Sequence, residues 1–370
     1  MALDVPPPSF GAHGYAEHAP WITTPRLVLR RPRPDDLPEY VRLHSDPRTY
    51  AHAPQAMPDE AACRERLEND LRGWAEEGVG YAAVLDRASG CVIGWAGLRV
   101  VRDLGVEPHL NLYYRLAHDQ IGKGLGREVA RAVAAWWIEH RVDLPLSALV
   151  DEGNDASLRT SLAAGLSVVG SPQGLAATGA RPMTRLLGPT IEVVDGHEAP
   201  VEDLLDLWTR VNDAGGAVGF LPGTARELVR PVLDGHLGAV RAGEALLVTL
   251  RDPDSCLRGF GFWHHRAGLP FAHRAVLKRL MVDPDVRGRN LGRLLLAGMV
   301  GVVRRDLPLV EVLRLDYRSG LGLGDFYAAC GWTEVGRIPR GLWLGGDDYR
   351  DDVTMVRRVD GGPLTADGRT

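Results

Sequence analysis

Twice in this 370-residue chain a strand-like run feeds a glycine-bearing turn that opens straight into an amphipathic helical stretch. The first turn is Gly122-Lys123-Gly124-Leu125-Gly126, followed by Arg127; the second is Arg287-Gly288-Arg289-Asn290-Leu291-Gly292, followed by Arg293. A junction of this kind can capture an anion. The first helical N–H groups lack intrahelical partners, and the helix dipole adds partial positive charge at the same end. Glycine removes the Cβ that would keep a phosphate away. Arg287, Arg289 and Arg293 add cationic side chains around the second turn. Dinucleotide binding of the Gly-x-Gly-x-x-Gly type is excluded by the spacing and by the antiparallel-looking strands that come first. A P-loop is excluded because no Gly-Lys-Ser/Thr follows. An ordinary strand-to-helix turn is the competing reading of each junction.

The elements that would position these turns follow one order in both halves. In the first, a strand at Arg26–Arg30 precedes a helix opened by Pro34-Asp35-Asp36 and a second helix over Ala61–Trp74. Strands at Tyr81–Leu85, Val92–Val101 and Asn111–Leu116 lead into the turn and a helix from about Arg127 to His140. A strand at Leu146–Val150, a short helix from Ala156 and two strands complete the unit. In the second half, helices at Val201–Val211 and from Ala225 precede strands at Ala245–Leu250, Arg258–His264 and Val276–Val282. The second turn and a helix to Arg305 follow, then a strand at Val310–Asp316, a helix ending at Phe326–Cys330 and a strand at Asp351–Arg358. The repeat predicts an α/β (α+β) chain of two tandem domains, each with a mixed, mostly antiparallel sheet. The expected boundaries are a flexible arm over 1–20, domains at 21–188 and 201–360, a linker at 189–200 and a flexible tail at 361–370.

Composition sets the class. Hydrophobic residues make up 45% and charged residues 25%, and the formal net charge is -5. That balance suits a globular protein and argues against nucleic acid or an anionic membrane as partner. No apolar run is long enough to span a bilayer, and the first twenty residues lack the basic and apolar regions of a signal peptide. Cys63, Cys91, Cys256 and Cys330 are scattered without paired spacing, which predicts a reducing, cytoplasmic setting and no metal site.

Longer motifs then come into register. Thr24-Pro25-Arg26-Leu27-Val28-Leu29-Arg30, Tyr114-Arg115-Leu116 with Gly122 to Glu128, and Asn154-Asp155-Ala156-Ser157 ending at Gly165-Leu166 occur in that order. On these the first half resembles the RimJ/RimL-like branch of the GNAT N-acetyltransferase superfamily. Leu280-Met281-Val282-Asp283-Pro284, the second turn, and Phe326-Tyr327 followed by Gly331-Trp332 resemble a more general GNAT domain. Asn290 departs from that pattern by replacing the middle glycine of the loop, a change that asparagine's tolerance of left-handed backbone can absorb.

The resemblance implies an acyl-CoA, most simply acetyl-CoA, and a primary amine that attacks it directly in a ternary complex. Leu280, Met281 and Val282, and in the first half Tyr114, Arg115 and Leu116, would offer backbone groups to the pantetheine arm. The two turns would hold the diphosphate through Gly122, Lys123, Gly124, Leu125, Gly126 and Arg127, and through Arg287, Gly288, Arg289, Asn290, Leu291, Gly292 and Arg293. Tyr327 would be the general acid, since a phenol is protonated at neutral pH; a core aromatic is the other reading. The matching first-half position is Ser161, so Ser157 would be the substitute there or simply cap a helix. Counted the same way, Gly320 stands where the first half has Asn154, an amide that can bind pantetheine. The second half is therefore the expected site of chemistry. No base stands out among Asp316, His264, His265 and water. The Asp347–Asp352 cluster is expected to be a solvated turn, Cys330 a packed thiol, and an oligomer is compatible with the sequence. A non-catalytic CoA-binding or regulatory module is the contrasting class. A mycothiol-synthase-like activity and an acetyltransferase of antibiotic biosynthesis or resistance are the contrasting enzymes.

Overall fold

The computed structural model of the chain describes residues 19–51, 53–102, 107–171 and 182–364. The expected arm lies outside the described residues except for positions 19 and 20, and so does the tail after 364. The first half builds β1 (Ile22–Thr23), β2 (Leu27–Arg30), α1 (Leu37–His44), α2 (Glu60–Glu76), β3 (Tyr81–Asp86), β4 (Val92–Val101) and β5 (His109–Leu116). It continues with α3 (Leu125–His140), β6 (Leu146–Asp151), α4 (Asp155–Ala163), β7 (Ser167–Gly170) and β8 (Met183–Leu187). The second half builds β9 (Thr190–Val194), α5 (Val201–Asp213), α6 (Arg226–Arg241), β10 (Ala245–Arg251), β11 (Leu257–His265) and β12 (Arg274–Val282). After them come α7 (Leu291–Asp306), β13 (Val312–Arg318), α8 (Leu323–Ala328), β14 (Thr333–Trp343) and β15 (Tyr349–Arg358).

Two sheets result. The strand order is β1-β2-β3-β4-β5-β6-β8-β7 in one and β9-β10-β11-β12-β13-β15-β14 in the other. Apart from β1 the two orders are the same permutation, including the exchange of the last two strands. Both sheets are mostly antiparallel, as the repeat predicts. The segment 189–200 is not a plain linker: β9 lies inside it and pairs antiparallel with β10, Val194 opposite Leu247. β9 stands where β2 stands in the first sheet. Its short Thr-Ile-Glu-Val-Val run went unrecognised because Pro189 and Gly196 bracket it. The long strand β14 was also missed, since Gly336, Pro339 and Gly341 interrupt its pattern.

Contacts divide the described residues into two compact units that interleave along the chain. Residues up to Val133, Ala148–Thr160 and 182–183 form the first; Ala134–Ser147, Ser161–Ser171 and those from Thr184 onward form the second. In the first, Tyr40, Leu43, Leu67, Ala83 and Trp95 pack α1 and α2 against the sheet. Asp59 starts α2 by accepting the Ala62 N–H at 2.8 Å. In the second, Leu204, Leu205, Trp208 and Val211 recur at helical spacing on α5 and meet Phe260, Phe262 and Met281. All but Val211 and Met281 of these seven are at most 1% exposed, so the strands that carry the site rest on a filled core.

Candidate active site

Strands β12 and β13 run parallel but are paired only from Arg274 opposite Val312 to Leu277 opposite Leu315. Both continue past that point, to Val282 and Arg318, without pairing to each other. The sheet therefore opens into a cleft there. A bulge sharpens the parting: Phe260 and Phe262 of β11 face Met281 and Lys278, so β12 carries one residue more than its partner. Arg279 sits in the bulge with φ 58°, an unusual angle for a residue with a side chain. A cavity of about 1420 Å³ fills the opening, lined by Leu280, Met281, Val282, Asp316, Tyr317 and Tyr327 among others.

Tyr327 is placed by α8, whose end is fixed by a glycine. Gly331 takes φ 82°, and the Trp332 N–H bonds the Tyr327 carbonyl at 3.1 Å. The same closure recurs at Gly165, φ 105°, where the Leu166 N–H bonds the Ser161 carbonyl at 3.2 Å. Ser161 and Tyr327 thus occupy equivalent places. Tyr327 is 8% exposed and lines the cavity, yet its hydroxyl has no hydrogen-bond partner among the described residues. Burial, with smaller contributions from Cys330 and Tyr317, pushes its phenol above the ordinary value and keeps it protonated. Burial raises the Cys330 thiol, which suits a packed thiol.

The second glycine turn leads into α7. Asn290 holds the left-handed conformation at φ 68° and Gly288 takes φ 81°. A Cβ at Gly288 would meet nothing within 4 Å, so the approach to that backbone is open. Arg287 donates to the Ala214 carbonyl at 3.2 Å, the Asn290 amide to the Ala164 carbonyl at 3.2 Å, and Arg293 to the Ala329 carbonyl. Arg289 is exposed. An open, cationic helix end of this kind fits a diphosphate.

The far wall of the cleft is basic. His236 on α6, a residue sequence reasoning missed, stacks on Phe262 with ring centroids 4.8 Å apart. Arg279 Nε donates to His236 Nε2 at 3.4 Å, which leaves the proton on His236 Nδ1 to be donated to His264 Nε2 at 2.8 Å. Burial, then His264, Arg279 and Lys278, push His236 down to about 4. His264 is lowered by burial and by Lys278, and His265 by burial. His264 is therefore committed as an acceptor. Asp316 is committed too, accepting from Thr354 at 2.7 Å, Arg314 at 2.9 Å and Lys278 at 3.5 Å. Burial alone would raise its carboxyl, but these donors hold it below the ordinary value. The spacing gave no sign of His236, because nothing in a helix pattern says that one polar residue will face a sheet opening.

In the first unit, Gly122 and Gly124 take φ 83° and 75°, and Cβ atoms at Gly122 and Gly126 would meet nothing within 4 Å. Arg26 braces this loop, binding the Lys123 carbonyl at 2.9 Å and Glu128 at 2.6 Å, while Thr24 donates to Glu128 at 2.6 Å. Asn154 accepts the Ser157 N–H at 3.1 Å and so caps α4. The Tyr114 hydroxyl donates to the Ser157 carbonyl at 2.9 Å and lies 3.0 Å from its Oγ. Tyr114 thereby engages the serine proposed as substitute acid, a use beyond the backbone role expected of it. Arg115 lies over the Tyr50 ring at 3.8 Å and donates to the Thr49 carbonyl at 2.7 Å. The structure refines one pairing. Asn154 caps α4, whereas α8 starts two residues later than a count from the glycine predicts and is capped by Gly322, φ 67°, with no side-chain bond. The Asp347–Asp352 segment is not simply a solvated turn: Asp351 and Asp352 lie in β15, and Asp351 binds Arg337 at 2.8 Å.

A putative GNAT-family acetyltransferase from Bordetella pertussis is 22% identical over 45% of this chain and 98% of its own, with a TM-score of 0.39. A spermidine N-acetyltransferase from Vibrio cholerae, solved with CoA and spermine, is 14% identical over 47% and 96%, TM-score 0.39. An acetyltransferase from Agrobacterium tumefaciens is 23% identical over 44% and 92%, TM-score 0.38. Residues 26–167 match the family model described as acetyltransferase (GNAT) domain. The match is to that segment, and it gives residues 26–167 the character of a GNAT acetyltransferase domain.

Proposed function

We propose that the chain is an acyl-CoA-dependent N-acyltransferase, using acetyl-CoA or another acyl-CoA, whose chemistry takes place in the cleft between β12 and β13. One observation carries the reading. The parting strands place a buried, protonated and unpartnered Tyr327 hydroxyl at a cavity whose other wall is the β12 backbone ahead of the open Gly288 turn. The shared strand order supports a second GNAT-like domain, from about Thr190 to Asp360, behind a first that occupies roughly 21–188.

When bound, acyl-CoA supplies a thioester: the amine nitrogen bonds to the carbonyl carbon as the C–S bond breaks and leaves its electron pair on sulfur. Tyr327 gives its proton to that sulfur, and the proton shed by the amine returns to the phenolate through solvent. Leu280 and Val282 hold the pantetheine arm by backbone pairing. Arg289 and the α7 N–H groups hold the diphosphate. The first domain keeps an open glycine turn but has Ser161 in the tyrosine's place. It retains CoA binding, with the Tyr114 and Ser157 hydroxyls 3.0 Å apart at the equivalent strand. Release of free thiol from acetyl-CoA across a panel of amines tests the reading. Binding of CoA by calorimetry with no thiol release from any amine would mark a non-catalytic module and overturn it.

A further inference from the structure

The lining of the cavity is cationic beyond what its own carboxylates balance. Arg266, Arg274, Lys278, Arg279 and Arg314 line it against Glu244 and Asp316. Asp316 is shared by Lys278 and Arg314. Arg266 and Arg274 both lie over the Phe271 ring, at 5.6 and 4.6 Å from its centre. Arg279 forms no ion pair among the described residues. Its guanidinium lies 5.4 Å over Trp208, donates from Nη1 to the Val218 carbonyl at 3.1 Å and from Nε to His236 at 3.4 Å, and leaves Nη2 without a protein acceptor. Gly219 has given up its side chain to this arrangement: a Cβ there would lie 2.1 Å from Arg279 Nη1. A cation fixed by an aromatic ring, a bulge and a bare glycine, yet unpaired in a ligand-sized cleft, is a preorganised anion receptor.

Resting on the acyltransferase reading, we infer that the acceptor is an amine that also carries an anionic group, a carboxylate or a phosphate, received by Arg279 with Lys278 beside it. The same wall eases the chemistry. Cations near the amine disfavour its ammonium form and raise the fraction of neutral nucleophile, which suits a site where Asp316 and His264 are already committed. A polyamine would bring two or more positive charges to a wall of the same sign.

The test uses the full chain, acetyl-CoA and four acceptors of similar reach: γ-aminobutyrate, O-phosphoethanolamine, n-butylamine and putrescine. Thiol release should give a kcat/KM for at least one of the two anionic amines about tenfold or more above those of n-butylamine and putrescine. Which anionic amine leads decides between carboxylate and phosphate. In Arg279→Gln that preference should fall toward unity through a higher KM for the anionic acceptor, with far-UV dichroism and CoA binding as controls on folding. Equal or better turnover of n-butylamine or putrescine by the unmodified chain overturns the inference while leaving the acyltransferase reading intact. So does an Arg279→Gln variant that is folded and still discriminates. Absence of thiol release with every amine, despite bound CoA, overturns both.

Discussion

Replacing Tyr327 by phenylalanine deletes one oxygen whose structural and chemical worth differ widely. The hydroxyl bonds no described residue, so folding loses no protein hydrogen bond when it goes. Stability should change by less than about 1 kcal/mol, a shift of roughly 2–4 °C in the melting point of a domain of this size. The ring remains, with its contacts to Tyr317 at 5.7 Å and Trp332 at 6.4 Å. If the phenol protonates the departing sulfur, its loss removes general-acid catalysis worth about 10²–10⁴ in rate, or roughly 2.7–5.4 kcal/mol of barrier. KM for acyl-CoA should hold, because the proposed mechanism gives the diphosphate to the Gly288 turn and the Tyr327 hydroxyl to the sulfur alone. The assay is steady-state thiol release at saturating amine, set beside a melting curve of the same preparation. A folded Tyr327→Phe protein whose kcat stays within about threefold of the parent would falsify the assignment. Loss of activity in Ser157→Ala alongside that result would move the chemistry to the first domain.

Other substitutions probe the frame. Asn290→Gly should keep the turn's shape but lose the amide bond to the Ala164 carbonyl, changing stability by less than about 1 kcal/mol, whereas Asn290→Val should cost about 1–2 kcal/mol and weaken CoA binding, because a branched Cβ does not suit φ 68°. Calorimetric titration with CoA, together with melting curves, reads both effects. Arg26→Ala removes the brace on Lys123 and Glu128 and should lower the melting temperature of the first unit by a few degrees at most, since Arg26 is half exposed. The pH response has two opposed parts. His44 is pushed down to about 4 by burial, so its contribution is full above about 6.5 and is lost as pH falls toward 4. Asp70 is pushed up to about 6 by burial, despite Arg99, so its contribution has the other sign and grows as pH falls from 6 toward 3.8. Asp70→Asn removes that compensation. Its stability should fall by roughly 1 kcal/mol more than the parent's between pH 7 and 5, measured by urea unfolding at each pH; parallel curves would sink the argument.

What the sequence disclosed was whatever repeats at short range. The β4 limits, Val92–Val101, came from a strand-like run behind the Arg87–Gly90 turn, and the two glycine turns with their helices α3 and α7 announced themselves by composition. The equivalence of Tyr327 and Ser161 followed from counting to a glycine, and the turns at Gly331 and Gly165 close with the same hydrogen-bond pattern. Hidden were features set by pairing across the sheet. The bulge at Arg279 depends on what β11 places opposite it, and no periodicity in β12 marks it. β9 is five residues long and draws its identity from β10. His236 matters only because α6 happens to lie over the opening.

The losses in the two halves are built into their packing. In the first, Ser161 is wholly buried where the second half has a phenol, so a tyrosine at that place needs space the core does not contain. In the second, Gly320 takes φ 94°, an angle at which any side chain is strained, and a Cβ there would also displace the end of the Arg350 side chain, 2.8 Å away, so an asparagine there costs stability. Gly322, with φ 67°, caps α8 by backbone shape alone and supplies no amide for a ligand. Each half has thus closed off what the other retains. Single substitutions at Ser161 or Gly320 should destabilise without restoring function, and in Gly320→Asn with Arg350→Ala the contact is relieved while the backbone strain remains. Tighter CoA binding by that double variant than by Arg350→Ala alone would show the amide at work; equal binding would place the cofactor's arm elsewhere.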